Sequence, residues 1–202
     1  QKRSWYPQRM RLGPEFIELT RIDGLAVDLK YASIDNFLNE NVYGDFNVAY
    51  LHQIAFDKLA EADRFLKRSR RDVNFLIYDA LRPRSAQRVL FSKVEGTPQE
   101  KYVANPDRGS LHNFGLAVDL TLIDNGGVLE MGTEFDEFSP RSEPAREAEF
   151  IADGSLTEIQ IANRHLLRDA MIAGGFKPIP HEWWHFNAMT LAEAKERLKI
   201  VE

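Results

Sequence analysis

The stretch Ser110-Leu111-His112-Asn113-Phe114-Gly115-Leu116-Ala117-Val118-Asp119-Leu120-Thr121-Leu122-Ile123 alternates large apolar residues with small or polar ones from Gly115 onward. Successive side chains of a strand point to opposite faces, so Leu116, Val118, Leu120 and Leu122 share one face and Ala117, Asp119 and Thr121 the other. The pattern predicts a strand over 115–123 with its leucine face in the core and Asp119 emerging between small neighbours. His112 is delivered by the loop just before it, and Gly115 permits a sharp turn between the two. A histidine and an aspartate placed this way have the chemistry of two metal ligands.

Around this strand, further β-rich runs lie at 25–32, 73–81 and 182–187. Asp124-Asn125-Gly126-Gly127 reads as the turn of a hairpin. From 47 to 67, Val48, Leu51, Ala55, Leu59, Ala62 and Leu66 recur at steps of three and four, which predicts a long amphipathic helix. The basic run Lys67-Arg68-Ser69-Arg70-Arg71 reads as its solvated end, where cations complement the helix dipole. A second helix is expected from a Ser155 cap, with Glu158 reaching back, to the stop at Gly174-Gly175; a third is expected from Thr190, with Glu193 completing the same box. Strands and helices are interspersed without regular alternation, which predicts an α+β fold with a largely antiparallel central sheet flanked by helices. The polar segment 138–153 reads as a mobile surface excursion. Solvation accounts for its carboxylates Glu143, Glu147 and Glu149, as it does for Glu61 and Asp63.

A chain of 202 residues with 44% hydrophobic composition can bury one substantial core, so 1–202 is expected to form a single domain, with 1–24 as an extension packing on it. Lys and Arg total 26 against 31 Asp and Glu, for a charge of -5 without a concentrated basic footprint, which argues against a nucleic-acid partner. Cysteine is absent, so thiolate zinc sites, disulfides and cysteine nucleophiles are excluded, and any metal must be held by imidazole and carboxylate. The apolar runs fall short of the ~20 residues a membrane helix needs. The chain begins Gln1-Lys2-Arg3, which leaves a removed export signal open, and with it periplasm or cytoplasm.

A third ligand is offered by His181-Glu182-Trp183-Trp184-His185. His185 would complete two histidines and one aspartate and leave a fourth position for water or substrate. Zinc held so lowers the pKa of its water from about 15.7 to about 7, and a nearby carboxylate can then move the proton. Glu182 is the candidate for that work. Glu182 and His185 are three apart, on opposite faces of a regular strand, so their convergence requires a twist, a bulge or a strand end. Taken singly, a buried aspartate is often a turn residue and a histidine among tryptophans is more often packed core. His52 and His165 read as structural or exposed; His181 stays open.

Together the two segments follow the pattern Ser-x-His-x-x-Gly-x-Ala-x-Asp and then Glu-x-Trp-His. Asp28-Leu29-Lys30-Tyr31-Ala32 with Asp35-Asn36-Phe37, then Tyr78-Asp79-Ala80-Leu81-Arg82-Pro83, then Met131-Gly132-Thr133-Glu134-Phe135-Asp136 supply three more blocks. In content and order they resemble the VanX-like D-alanyl-D-alanine dipeptidases, a bacterial family. The resemblance implies a hedgehog-like peptidase fold and one Zn2+ per chain on His112, Asp119 and His185. It implies Glu182 as general base and acid, Arg82 on the oxyanion, Asp136 for the substrate ammonium, and Ser110 and Tyr31 near its carboxylate end. The implied reaction is hydrolysis of the small D,D-dipeptide to two D-alanines. A D,D-carboxypeptidase acting on longer stem peptides and a non-catalytic zinc-containing binding or sensory module are the alternatives. Between Asp119 and Asp136 the chain is shorter than in the best-known members, which puts the rim of the site in doubt.

Overall fold

The computed structural model describes residues 12–202. In chain order the elements are β1 (Phe16–Glu18), β2 (Ala26–Val27), β3 (Tyr50–His52), α1 (Gln53–Ser69), β4 (Asn74–Asp79), α2 (Arg84–Val94), β5 (Ala117–Asp124), β6 (Gly127–Val128), α3 (Glu147–Ala152), α4 (Glu158–Ala173), β7 (Lys177–Pro178), β8 (His185–Asn187) and α5 (Leu191–Arg197). The fold is α+β. The main sheet runs β2-β4-β5-β8-β7, with β6 paired to β5; only β2 and β4 run parallel.

The leucine face of β5 is what builds the core. Leu116, Val118, Leu120 and Leu122 are fully buried, in one cluster with Ala55, Leu59, Ala62 and Leu66 of α1 and Leu167, Ala170 and Met171 of α4. Burying each large aliphatic side chain contributes roughly 1.5–3 kcal/mol. The opposite face of the sheet carries the polar row used below. A second cluster, Tyr31, Tyr43, Ala86, Leu90, Phe91, Val94 and Val103, seats α2 beside that face. Gly115 adopts φ 66°, and a Cβ there would lie 2.8 Å from the backbone nitrogen of His52, so the turn into β5 needs glycine.

The long helix starts later than its spacing predicts. Residues 50–52 are strand, paired with β1, and His52 caps α1 by accepting from Ile54 N at 3.3 Å. Leu51 satisfies both a helical and a strand phase, and its pairing with Ile17 decides between them. In the second helix the box is Thr157 with Gln160 rather than Ser155 with Glu158; the Ser155 hydroxyl turns to Asp153 at 2.6 Å. The third begins at Thr190 with Glu193 as expected, and Asp124 pairs with Gly127 to close the predicted hairpin.

Segment 138–153 is not a loose excursion. It forms two 3-10 turns and α3, and it buries Ser142 and Glu147. Ser142 Oγ bonds Thr133 Oγ1 at 2.9 Å and Glu137 O at 2.6 Å. Glu147 meets Arg168 at 2.6 Å, Arg164 at 3.5 Å and His165 at 3.4 Å. Polar composition here is consumed by internal pairs rather than by water, which composition alone cannot distinguish. Of the extension expected over 1–24, residues 1–11 lie outside the described residues; from the remainder β1 pairs with β3 and Leu19 is fully buried.

Candidate active site

Register across three strands places the central polar groups. Asp79 on β4 faces Asp119 on β5, and Asp119 faces His185 on β8. Directly opposed residues on one face of a sheet have Cβ atoms roughly 4.5–5.5 Å apart, so their functional atoms can touch. His112 comes from the 3-10 turn Leu111–Phe114, which is capped by Ser110 Oγ accepting from His112 N at 3.3 Å and locked by Asn113. Glu182 is not in a strand: it stands before a turn at 183–184, and β8 begins only at His185. That strand end resolves the three-residue spacing and leaves Glu182 Oε2 3.9 Å from His185 Nδ1.

The two imidazoles are oriented from behind. His112 Nδ1 lies 2.7 Å from the carbonyl of Ala80, and His185 Nε2 lies 2.7 Å from Asn187 Oδ1. Both partners accept, so a ring that keeps its proton on that outer nitrogen presents a lone pair inward. The inward nitrogens are 3.2 Å apart, and they lie 3.3 and 2.9 Å from the two oxygens of Asp119. In that tautomer three acceptor atoms converge. One added proton could satisfy one edge of this triangle; a metal ion satisfies all three, and the ligand atoms all lie within 4.8 Å of one another. The donor set therefore fits a cation, and outer hydrogen bonds of this kind are what fix metal-bound histidines.

Charge around the triad leans the same way. Four carboxylates, Asp79, Asp119, Asp136 and Glu182, surround one guanidinium. Burial alone would push the Asp119 carboxyl up, but the His112 and His185 rings overturn it and hold the group well below its usual range. Glu182, buried and with little to pair with, is pushed up to about 8, by desolvation first and then by the charges of Asp119 and Asp136. Asp136 is also pushed up to about 8, again mainly by desolvation, although it accepts from Tyr31 Oη at 2.6 Å. Its backbone sits at φ 59°, left-handed for a residue with a side chain. Such a conformation costs of order 1–3 kcal/mol and persists where the surroundings enforce it.

Arg82 is buried, yet its charge is secured by Asp79, which takes Nε at 2.8 Å and Nη2 at 2.6 Å. Gln87 Oε1 accepts from Nη1 at 2.8 Å, Asp119 lies 3.5 Å from Nη2, and the Tyr31 ring lies 5.1 Å from the guanidinium carbon. One Nη1 hydrogen and the long Nη2 contact are left to face a cleft of about 410 Å³. Tyr31, Arg82, Ser110, His112, Asp119, Asp136, Glu182 and His185 all line it, so every residue singled out in the sequence comes to one place. Asp79, Gln87 and Asn187 were missed. The first lies three residues before Arg82 and the last two after His185, on the same strand face, so spacing held a signal for both; Gln87 reaches in from α2 and had none.

A His–Asp–His triad of converging ligand atoms beside a desolvated carboxylate, in a cleft that also holds an arginine and a second buried acid, is the centre of a metal-dependent hydrolase. The profile of the D-ala-D-ala dipeptidase family of peptidases matches residues 14–199, and the chain belongs to that family. It is 36% identical over 175 residues to the D-alanyl-D-alanine dipeptidase of Escherichia coli (strain K12), covering 86% of this chain and 84% of that one. It is 31% identical over 198 residues to the D-alanyl-D-alanine dipeptidase of Enterococcus faecium, covering 88% and 92%. Among solved structures it is similar to the LdcB LD-carboxypeptidase at a TM-score of 0.47 and 19% identity, over 93% of this chain and 79% of that one.

Proposed function

We propose that this chain is a zinc-dependent D,D-dipeptidase that hydrolyses D-alanyl-D-alanine to two D-alanines, with His112, Asp119 and His185 as metal ligands. The observation that carries it is the convergence of His112, Asp119 and His185, whose ligand atoms lie within 4.8 Å of one another with an acceptor behind each ring. Two imidazoles and a carboxylate without thiolate suit one Zn2+ per chain with an open fourth position. When bound, the ion supplies Lewis acidity, activating water near neutral pH and polarising the scissile carbonyl.

The chain's own residues do the rest. Glu182 takes the proton of the attacking water and returns it to the departing amine as the C–N bond breaks. Arg82 turns its remaining donors to the developing oxyanion, and because Asp79 and Gln87 fix it beforehand, no reorganisation is needed. Asp136 receives the substrate ammonium, with Tyr31 fixing the carboxylate that does so. Ser110 serves the carboxylate end; Tyr31, expected there from the sequence, is bonded to the amine-binding Asp136 instead. The substrate follows from the family and from the named activity of its relatives, and Asp136 in the cleft favours a free amino terminus over a stem peptide. One domain carries the activity, with residues 12–24 packing on it.

The test incubates zinc-loaded protein with D-Ala-D-Ala, L-Ala-L-Ala and a pentapeptide ending in D-Ala-D-Ala, beside Glu182→Ala. D-Ala-D-Ala alone is expected to turn over, and only with Glu182 present. Cleavage of the pentapeptide without the dipeptide would make the protein a carboxypeptidase; stoichiometric zinc without any turnover would make it a binding module.

A further inference from the structure

Three segments that carry site residues meet at one aromatic ring. Tyr102 ends the 3-10 turn Glu100–Tyr102, on the stretch leading to Ser110 and His112. Its ring stacks on Phe138, 5.2 Å between centroids and 9° between planes, and lies 6.2 Å from the ring of His181. Its hydroxyl donates to Glu143 Oε1 at 3.1 Å; the Lys101 ammonium sits 4.6 Å from the ring and 3.7 Å from the same carboxylate. Phe138 is backed by Phe37 at 5.2 Å. Tyr102, Phe138 and His181 all line the cleft.

These rings line the same cleft as Asp136 and Glu182. Phe138 follows Asp136 by two residues, and His181 immediately precedes Glu182. The segment between is pinned rather than free, with Ser142 Oγ bonded to Glu137 O at 2.6 Å and Trp183 N to Ser142 O at 3.1 Å. A dipeptide ends at its ammonium, at Asp136. A stem peptide has an amide nitrogen there and must continue past it, into Phe138 and the tyrosine stacked against it.

Resting on the dipeptidase reading above, we propose that the Tyr102–Phe138 stack is the length gate of this cleft, a specificity-determining pair that stops peptides extended beyond the amino end of the dipeptide. Because the stack joins two walls and is tied at its far edge by Glu143, opening it requires both walls to part. A charge filter at Asp136 is a different device, and the two separate experimentally.

The experiment compares kcat/KM of the zinc-loaded enzyme for D-Ala-D-Ala and for a doubly N-acetylated L-Lys-D-Ala-D-Ala. Wild type and Tyr102→Phe, which keeps the ring, are expected to exclude the tripeptide. Phe138→Ala and Tyr102→Ala are expected to raise the tripeptide-to-dipeptide ratio at least tenfold, with cooperative thermal unfolding retained. If an alanine variant does not fold, Phe138→Leu and Tyr102→Leu remove the stack with less loss of volume, and the same ratio decides. Folded variants with an unchanged ratio overturn the gate, as does a ratio raised by Asp136→Asn alone. Wild type that cleaves both peptides overturns the gate and leaves the dipeptidase reading standing; wild type that cleaves the tripeptide only, or neither, overturns that reading and the gate with it.

Discussion

Asn187→Ala removes the one side chain that orients a ligand from behind. His185 Nε2 lies 2.7 Å from Asn187 Oδ1, an acceptor that favours the tautomer with Nδ1 bare toward His112 and Asp119. The equivalent partner of His112 is the backbone carbonyl of Ala80, which no substitution removes, so the two histidines separate cleanly. Without Asn187 the ring is free to rotate and to place a proton on the inward nitrogen, which must then be displaced before a metal binds. Loss of an outer partner of this kind lowers metal affinity by about 10–100-fold, or roughly 1.4–2.8 kcal/mol. Asn187 lies at the cleft rather than in the core, so the fold should not change. Competition titration of Zn2+ against a fluorescent chelator measures the affinity, and Asn187→Asp, which keeps an acceptor, should recover most of it. Affinity within twofold of wild type in the alanine variant would refute the argument that the outer hydrogen bonds prepare this triad for a cation.

Glu182→Gln should lower kcat by about 10²–10⁴-fold while zinc stoichiometry by elemental analysis stays at one, because the carboxylate moves protons and is not a ligand. Asp79→Asn removes the close anion of the buried Arg82 guanidinium and leaves only the longer Asp119 contact; the urea midpoint should fall at unchanged slope, by at most the ~3–5 kcal/mol of a fully broken buried pair, and kcat/KM should fall with it. The Asp136 carboxyl is pushed up to about 8 in the folded, metal-free protein, against an ordinary value near 3.8. Over that window the unfolded chain has released a proton that the folded chain retains, so raising pH from about 4 to about 8 lowers stability. Urea unfolding of chelator-stripped protein at pH 5 and pH 8.5 should show the fall. Glu182, also pushed up to about 8, acts in the same direction, so Asp136→Asn should lessen the fall and Asp136→Asn with Glu182→Gln should flatten it; a stability that rises over this window would contradict the sign.

Much of the site was legible because chemistry restricts it. With no cysteine, a metal site had to use imidazole and carboxylate, and the alternation around Asp119 put one carboxylate off the core face before any coordinates were known. What failed was local where local signals are degenerate. Val48 and Leu51 fit a helical phase, but β1 is available to pair with 50–52, and the helix begins only at Gln53. Ser155 and Thr157 both precede a plausible third-position partner, and only the backbone path settles which one caps the helix. Glu147 looked solvated because composition counts charges without their neighbours; Arg164, Arg168 and His165 approach it from α4.

By itself the sequence determined the two periodicities, and through them a sheet strand whose polar face carries Asp119, with His112 before it and the Glu182–His185 segment available to join. Only the tertiary structure decided that Asp79, Asp119 and His185 stand in one row, that Glu182 turns inward at a strand end, and that an acceptor stands behind each histidine. The reason is that side-chain period is a property of one segment, whereas cross-strand register is set by contacts between segments far apart in sequence, 66 residues for Asp119 and His185.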